Sequence, residues 1–260
     1  MKVSLIITTY NRPDALLIVL KSIEAQILKP FEVIIADDGS SNRTFEVLEI
    51  YKKKSNLTIL HSWQEDFGFR AAKSRNKAIS LSSGEYIVLI DGDMILHPKF
   101  ISDHIYFAKF GFFTQGSRVL LTHDKTKMVL NKNNTQLSFI SNGIKKRRNA
   151  IHSDLLAKLF LVNNISLRGI KSCNMGFFRK DCDAVNGFNN DFEGWGREDS
   201  EFAVRLINSG IIRQNLRFNA IQFHLWHMES ERIFLQENNL LLQDAIDSNR
   251  KWCKNGINSL

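Results

Sequence analysis

The sequence predicts an α/β protein: a mostly parallel sheet with helices on both faces. Three observations predict it. β-branched apolar runs alternate with amphipathic helical segments through the first ~95 residues, the pattern of crossovers over a parallel sheet. The runs are apolar throughout rather than alternating, as in strands buried on both faces. The main runs end in polar or acidic residues. No internal repeat, low-complexity tract or clear linker interrupts the 260 residues, so the two halves are expected to share one fold.

The elements follow in order. "VSLIITTY" (3–10) reads as a buried strand. Pro13 opens a helix, where its missing N–H costs nothing, and Leu16, Leu17, Val19, Leu20 and Ile23 carry it to about Gln26. "FEVIIADDGS" (31–40) is a second strand ending in two aspartates and a Gly-Ser turn. Ser41 or Asn42 caps the next helix, which runs to about Lys53. "LTILHSW" is a third strand, "AAKSRNKAISLS" a helix closed by Gly84, and "EYIVLI" a fourth strand. "FFTQGSRVLLT" (112–122) is expected as one strand, followed by a segment rich in Lys, Asn and Ser (123–165) with weak helical periodicity at Leu155, Leu156, Leu159 and Phe160. "SCNMGFFRKDCDAVNGFN" reads as strand, turn and short helix. "EDSEFAVRLINSG" is an amphipathic helix with Gly210 at its C-terminal end. "AIQFHLWH" is a short strand, and a last helix is expected from about 230 to 253.

The composition sets bounds. A hydrophobic fraction of 43% supports a full core, and 24% charged residues is ordinary for a soluble protein. No apolar run approaches the ~18 residues a membrane span needs. "MKVSLIITTYNRP" lacks the apolar core of a signal peptide and reads as the first strand of a cytoplasmic protein. Cys173, Cys182 and Cys253 have no CxxC spacing, so neither a disulfide framework nor a zinc cage is indicated. The net charge of +8 favours anionic partners. "KKRR" (145–148) reads either as a solvated loop or as a contact with an anionic membrane surface. Nucleic acid is not expected, because no helix-turn-helix, zinc-finger or aromatic RNA-binding signature is present.

In an open parallel sheet, ligands bind beyond the carboxyl ends of the strands. Three polar groups stand there: Thr8-Thr9-Tyr10, Asp37-Asp38-Gly39 and Asp91-Gly92-Asp93. Asp-Gly after a strand is ordinarily just a turn, but three such groups converging on one rim form a candidate site. GxGxxG and GxxxxGK[ST] are absent, so no glycine loop cradles a phosphate. A divalent cation on one or two carboxylates is the usual substitute. Asp93 is placed to bind it, and Asp91 to reach the ion or a ribose hydroxyl. In "EGWGREDSEF" (193–202), Trp195 between two glycines is suited to stacking on a sugar, and a carboxylate at Glu198-Asp199 to taking a proton from a hydroxyl. Those acids also suit a helix N-terminus on dipole grounds alone. His224 and His227 in "FHLWHMES" are either packed residues or metal ligands.

"VSLIITTYNRPDALLIVLKSI", "FEVIIADDGS" and "YIVLIDGDMIL" together resemble the family 2 glycosyltransferases of the GT-A fold. "GWGREDSEF" resembles the acceptor motif of β-1,4-galactosyltransferases and chondroitin-polymerase-type enzymes. The resemblance implies a single domain over 1–260: a Rossmann-like nucleotide-sugar half (1–122), a variable insert (123–165) and an acceptor-binding, catalytic half (166–260). It implies that Thr8, Thr9, Tyr10, Arg12, Asp38, Arg70, Lys73, Asp91 and Gly92 hold the donor, Asp38 through a uracil imide, with Arg75 nearby and Asn76 in the same helix. Asp93 and His224 would ligate Mn2+ or Mg2+, with Asp91 contributing and His227 as the alternative. Trp195, Gly196 and Glu198 would bind the acceptor, and Asp199 would be the base.

The implied reaction is inverting, metal-dependent transfer from a UDP-sugar to a hydroxyl of a glycan or glycolipid acceptor, such as a bacterial surface polysaccharide, lipopolysaccharide or capsule. The implied location is cytoplasmic, or peripheral on the cytoplasmic face of the inner membrane. An aspartate base at its ordinary pKa of ~4 is weak, which leaves much of the acceleration to positioning. The competing readings are a sugar nucleotidyltransferase, which ordinarily has a glycine-rich signature, and a non-catalytic nucleotide- or glycan-binding module.

Overall fold

The computed structural model describes residues 1–228 and 231–260. In chain order the elements are β1 (Val3–Thr9), α1 (Pro13–Glu24), β2 (Glu32–Asp37), α2 (Asn42–Lys52), β3 (Ile59–Trp63), α3 (Ala71–Leu81), β4 (Tyr86–Asp91), β5 (Met94–Leu96), α4 (Phe100–Phe107), β6 (Phe112–Gln115), β7 (Val119–Leu121) and α5 (His123–Lys132). There follow β8 (Ile144–Lys145), α6 (Asp154–Leu159), β9 (Val162–Asn164), β10 (Asn174–Phe178), α7 (Arg179–Ala184), α8 (Glu198–Asn208), β11 (Ile212–Asn215), β12 (Gln222–His224) and α9 (Leu235–Asp247).

Eight strands form the main sheet in the order β3-β2-β1-β4-β10-β6-β11-β9. β1 to β4 are mutually parallel, β10 is antiparallel to both β4 and β6, and β11 runs parallel to β6. Strand order reverses around β1, and the crevice between β1 and β4 is therefore the switch point where α/β sheets bind ligands. There Thr8 pairs with Asp91. Because β10 is antiparallel, its first residues lie at the same rim as the last residues of β4 and β6.

The continuous apolar runs have a direct physical reading. Leu5 and Ile7 pack into one core cluster with Leu16 and Val19 of α1. Ile6 between them points to the other face, into a cluster with Ala72 and Ile79 of α3 and Phe202 of α8. Successive side chains face opposite sides, so a strand covered on both faces is apolar at every position. Burying each such Leu or Ile contributes about 1.5–3 kcal/mol. A third cluster joins Ala15 and Ile18 of α1 to Ile95, Val119 and Phe223. These last three belong to a second sheet, ordered β5-β12-β7-β8.

Several expectations are corrected. The single strand over 112–122 is two strands, β6 and β7, in different sheets. The chain divides at Gly116, where a Cβ would lie 2.3 Å from Asn174 Nδ2. Gly84 does not close α3 with a left-handed turn; it admits Ser4, whose Oγ would sit 2.4 Å from a Cβ, and Ser82 is the cap residue. Ser41 occupies the N-cap of α2 without a side-chain capping bond; its N–H donates instead to Asn11 Oδ1. Of the helix expected over 230–253, residue 230 lies outside the described residues and the helix itself spans Leu235–Asp247. Gly210 does sit in the left-handed region, φ 88°, after α8.

Candidate active site

The β2 end supplies a buried carboxylate. Asp38 Oδ2 accepts the Arg70 backbone N–H at 2.7 Å and Oδ1 accepts Gln64 Nε2 at 2.6 Å. Burial pushes its pKa up to about 6, against the opposing pull of those two bonds. Tyr10, exposed at the end of β1, donates its hydroxyl to Asp66 at 2.9 Å. Arg70 reaches the Glu65 carbonyl and lies 5.2 Å from the Phe67 ring centre. Lys73 stands in the first turn of α3; burial and then the Lys73 charge lower the pKa of Lys77, so the helix presents a positive face. Arg12 sits at the N-cap of α1 with Nε 3.5 Å from Asp14.

Arg75 joins the strand ends to α8. Its Nε donates to Thr8 Oγ1 at 3.1 Å, Nη1 donates to Glu198 Oε1 at 2.9 Å, and Nη2 lies 3.8 Å from Asp91 Oδ1. Arg75 is buried, so its charge requires the partners it has. Glu198, one of the residues that the acceptor motif implies, is thus buried against a protein cation. The Asn76 side chain holds both the N–H and the carbonyl of Phe188. Asn76 thereby ties α3 to the loop before α8. Thr9 is buried, with an unpartnered Oγ1.

The two acids of the β4–β5 turn are treated differently. Gly92 donates its N–H to the Thr8 carbonyl at 2.7 Å and lies so close to β1 that a Cβ would be 3.0 Å from Thr9 Oγ1. Burial, followed by the opposing charge of Arg75 and the like charge of Asp93, leaves the Asp91 pKa raised. Burial also penalises the Asp93 anion, but the hydrogen bond and charge of His224, then His227, more than offset it and lower its pKa. Nε2 of His224 and of His227 both approach Asp93 Oδ2, at 3.3 and 3.2 Å. The two rings meet edge to face with centres 5.0 Å apart. Asp93, His224 and His227 present ligand atoms all within 4.8 Å of one another. Asp93 Oδ1 is buried without a partner. One hard and two borderline ligands with a spare carboxylate oxygen fit a divalent ion such as Mn2+. The structure brings both histidines to Asp93 rather than selecting one.

α8 carries the remaining groups. Gly194, Gly196 and Arg197 all have positive φ (68°, 106° and 79°), which bends the chain sharply before the helix. A Cβ at Gly194 would lie 2.6 Å from Phe234, and its N–H donates to the Phe69 carbonyl. Trp195 is exposed, with the Arg232 guanidinium 4.7 Å from its ring centre. Asp199 Oδ2 accepts the Ser172 N–H at 3.3 Å. Burial, and secondly the Glu198 charge, raise its pKa to about 7. Its carboxyl therefore stands above the ordinary aspartate value of about 4. α8 is anchored by a fully buried pair, Arg205 to Glu201, at 2.8 Å through both carboxylate oxygens.

Sequence reasoning missed Gln64, which orients Asp38; Cys173 and Arg118 beside the acidic turn; and Lys171 near Asp199. The Cys173 thiol is pushed up to about 12 by burial and then by Asp91. None of these carries a motif; only the strand order reveals them.

With this geometry in place, the comparisons with known proteins are specific. Residues 4–170 match the glycosyl transferase family 2 model, and residues 162–228 match the family described as N-terminal domain of galactosyltransferase. The chain belongs to glycosyltransferase family 2. It is 29% identical over 225 residues to the hyaluronan synthase of Pasteurella multocida, covering 80% of this chain and 23% of that protein. It thus spans about a quarter of that relative's length. The crystal structure of Staphylococcus aureus TarS 1–349 in complex with UDP superposes with TM-score 0.63 at 18% identity, over 93% of this chain and 64% of that one. GalNAc-T7 with UDP, GalNAc and Mn2+ superposes with TM-score 0.64 at 13% identity, over 88% and 44%. The fold is that of the GT-A glycosyltransferases. Among the described residues, no helix is long and apolar enough to cross a membrane.

Proposed function

We propose that the chain is a metal-dependent, inverting glycosyltransferase that moves a sugar from a UDP-sugar to a hydroxyl of a growing bacterial surface glycan. The observation that carries this reading is a trio whose ligand atoms could hold a metal ion (Asp93, His224, His227) near a carboxylate, Asp199, with its pKa raised to about 7. A base titrating near the working pH combines deprotonation with proton affinity.

In this reading Asp38 receives the base of the nucleotide, with Gln64 and the Arg70 amide fixing its carboxylate. Thr8, Thr9, Tyr10, Arg12, Arg70, Lys73 and Asp91 surround the nucleotide, and Gly92 keeps the turn against β1. A divalent ion held by Asp93, His224 and His227 would supply Lewis-acid stabilisation of the departing diphosphate. Trp195 and Gly196 face the acceptor, while Glu198 fixes the start of α8 through Arg75. Asp199 takes the proton of the acceptor hydroxyl as its oxygen bonds to the anomeric carbon. The bond from that carbon to the diphosphate oxygen breaks, and its electron pair leaves with UDP. One displacement from an α-linked donor gives a β-linked product. The UDP and Mn2+ bound in GalNAc-T7 and the UDP bound in TarS support the donor assignment. The test is Mn2+-dependent UDP release across UDP-glucose, UDP-galactose, UDP-GlcNAc and UDP-glucuronate, with product linkage read by NMR. Absence of release from all four, or an α-linked product, defeats the reading.

The location proposed is the cytoplasmic face of the inner membrane. Exposed Leu155 and Leu159 on α6 and the basic 145–148 segment support peripheral contact. Flotation with phosphatidylglycerol vesicles tests it, and no flotation at low salt refutes it.

A further inference from the structure

A cavity of about 440 Å³ opens at the rim where β6 and β11 end and β9 begins. That size falls within the ~300–1,000 Å³ usual for ligand sites. Its lining includes Arg118, Lys146, Arg168, Lys171, Arg213 and Arg217, and no Asp or Glu. The ion pairs among the described residues involve none of these six. The arrangement is built rather than loose. Arg213 is buried and its Nη1 donates to the carbonyls of Ser166 and Arg168, both at 2.8 Å. The buried Nε atoms of Arg118 and Arg213 have no hydrogen-bond partner, and such an unmet donor is costly unless a ligand meets it. Burial, and secondly the Arg118 charge, lower the pKa of Lys171. Like charges gathered in a concave site focus a positive field that recruits an anion.

The position says which anion. Lys171 precedes Ser172, whose N–H donates to Asp199, and Cys173 in the cavity wall is close enough to Asp91 and Asp93 to feel their charge. The cavity therefore adjoins the base on the side away from the Asp38 nucleotide pocket. Resting on the transferase reading above, we propose that this cavity is the acceptor subsite and takes a saccharide bearing an anionic group, a carboxylate or a phosphate, next to the residue that is glycosylated. The four residues of the basic 145–148 run divide accordingly: Lys146 serves the acceptor cavity, whatever the others do.

The experiment is equilibrium binding to the full chain, with UDP and Mn2+ present, of two charge-matched probe pairs: trigalacturonate against its methyl ester, and maltotriose 6-phosphate against maltotriose. At least one anionic member is expected to bind tenfold or more tightly than its neutral partner, with the preference shrinking as salt rises. Which pair shows it distinguishes carboxylate from phosphate. The preference should disappear in Lys146→Gln/Arg168→Gln, while UDP affinity in that variant reports an intact donor half. Equal binding within both pairs, or an unchanged preference in the variant, overturns the proposal. So does a variant that loses UDP-glucuronate over UDP-glucose while keeping the probe preference, since the cavity would then serve the donor sugar. Failure of UDP to bind the unsubstituted chain would strike the transferase reading instead, and is measured separately.

Discussion

On the β2–β4 side of the rim the buried acids have their partners in place: Asp37 meets His61 and the Ser40 N–H, Asp38 meets Gln64 and the Arg70 N–H, and Asp91 faces Arg75. On the β6–β11 side, six cations share one cavity without a carboxylate among its walls. On the first side these acids are partnered within the protein, with Asp93 Oδ1 left open for a cation. The second side gathers cations with no carboxylate in the same walls to offset them. Asp199 lies at the seam: Glu198 beside it pairs with Arg75 on the satisfied side, and Ser172 beside Lys171 donates to it from the unsatisfied side. Its pKa is raised first by burial and then by the Glu198 charge, with the Arg75 charge opposing both.

The comparison is broken most directly at the seam. Asp199→Asn is expected to lower the transfer rate by about 10²–10⁴-fold, the usual range for a lost general base. UDP affinity should hold, because nothing on the satisfied side changes. Rate and affinity measured together check this, and turnover at the unsubstituted rate removes Asp199 as base.

The next effect is on folding. Arg205 and Glu201 are both fully buried and satisfy each other. Removing one charge with Arg205→Met leaves the other uncompensated, and about 3–5 kcal/mol of stability is expected to be lost. Urea unfolding measures it. The double variant Glu201→Leu/Arg205→Met should recover much of that loss, because no buried charge is left unpaired.

How far the sequence reveals this architecture depends on where the physical signal resides. β1, β2 and β4 are legible because both faces are covered, so every position is apolar. β9 (Val-Asn-Asn) and β11 (Ile-Arg-Gln-Asn) are not: short, polar strands exist because a neighbour offers a ladder, and their own residues carry no such preference. The Asp91-Gly92-Asp93 turn, the Asp37-Asp38 turn and the start of α8 are legible because short contiguous motifs place them. The cation cavity is not, since Arg118, Lys146, Arg168 and Arg217 are scattered over a hundred residues that only the strand order gathers. The raised pKa of Asp199 is equally hidden, as it follows first from burial and not from residue type.

A smaller effect sharpens the donor side. Asp93→Ala removes the carboxylate that His224 and His227 both approach. Mn2+-dependent UDP affinity is expected to fall by tenfold to a hundredfold, near the range for disturbed metal ligation. UDP binding without Mn2+ should stay the same. Titration calorimetry with and without the ion checks both, and an unchanged Mn2+ increment takes Asp93 out of the metal site.

The smallest expected effect separates activity from stability within one residue. With Asp199 titrating near 7, transfer should fall as pH drops from 7 to 6 and approach a tenfold loss per unit below that, because the protonated acid accepts no proton. Stability moves in the opposite sense. The folded-state pKa is raised above the unfolded value of about 3.9, so the folded state binds the proton more tightly. The group's contribution is fully present below pH ~4 and is lost as pH rises through about 7. Asp38, raised to about 6, adds the same sign over a narrower window. Asp199→Asn should therefore flatten the stability profile between pH 4 and 7. Melting temperatures of the two proteins across that range test it: parallel profiles would mean that Asp199 titrates as an ordinary exposed carboxylate, and that the seam does not shape its chemistry.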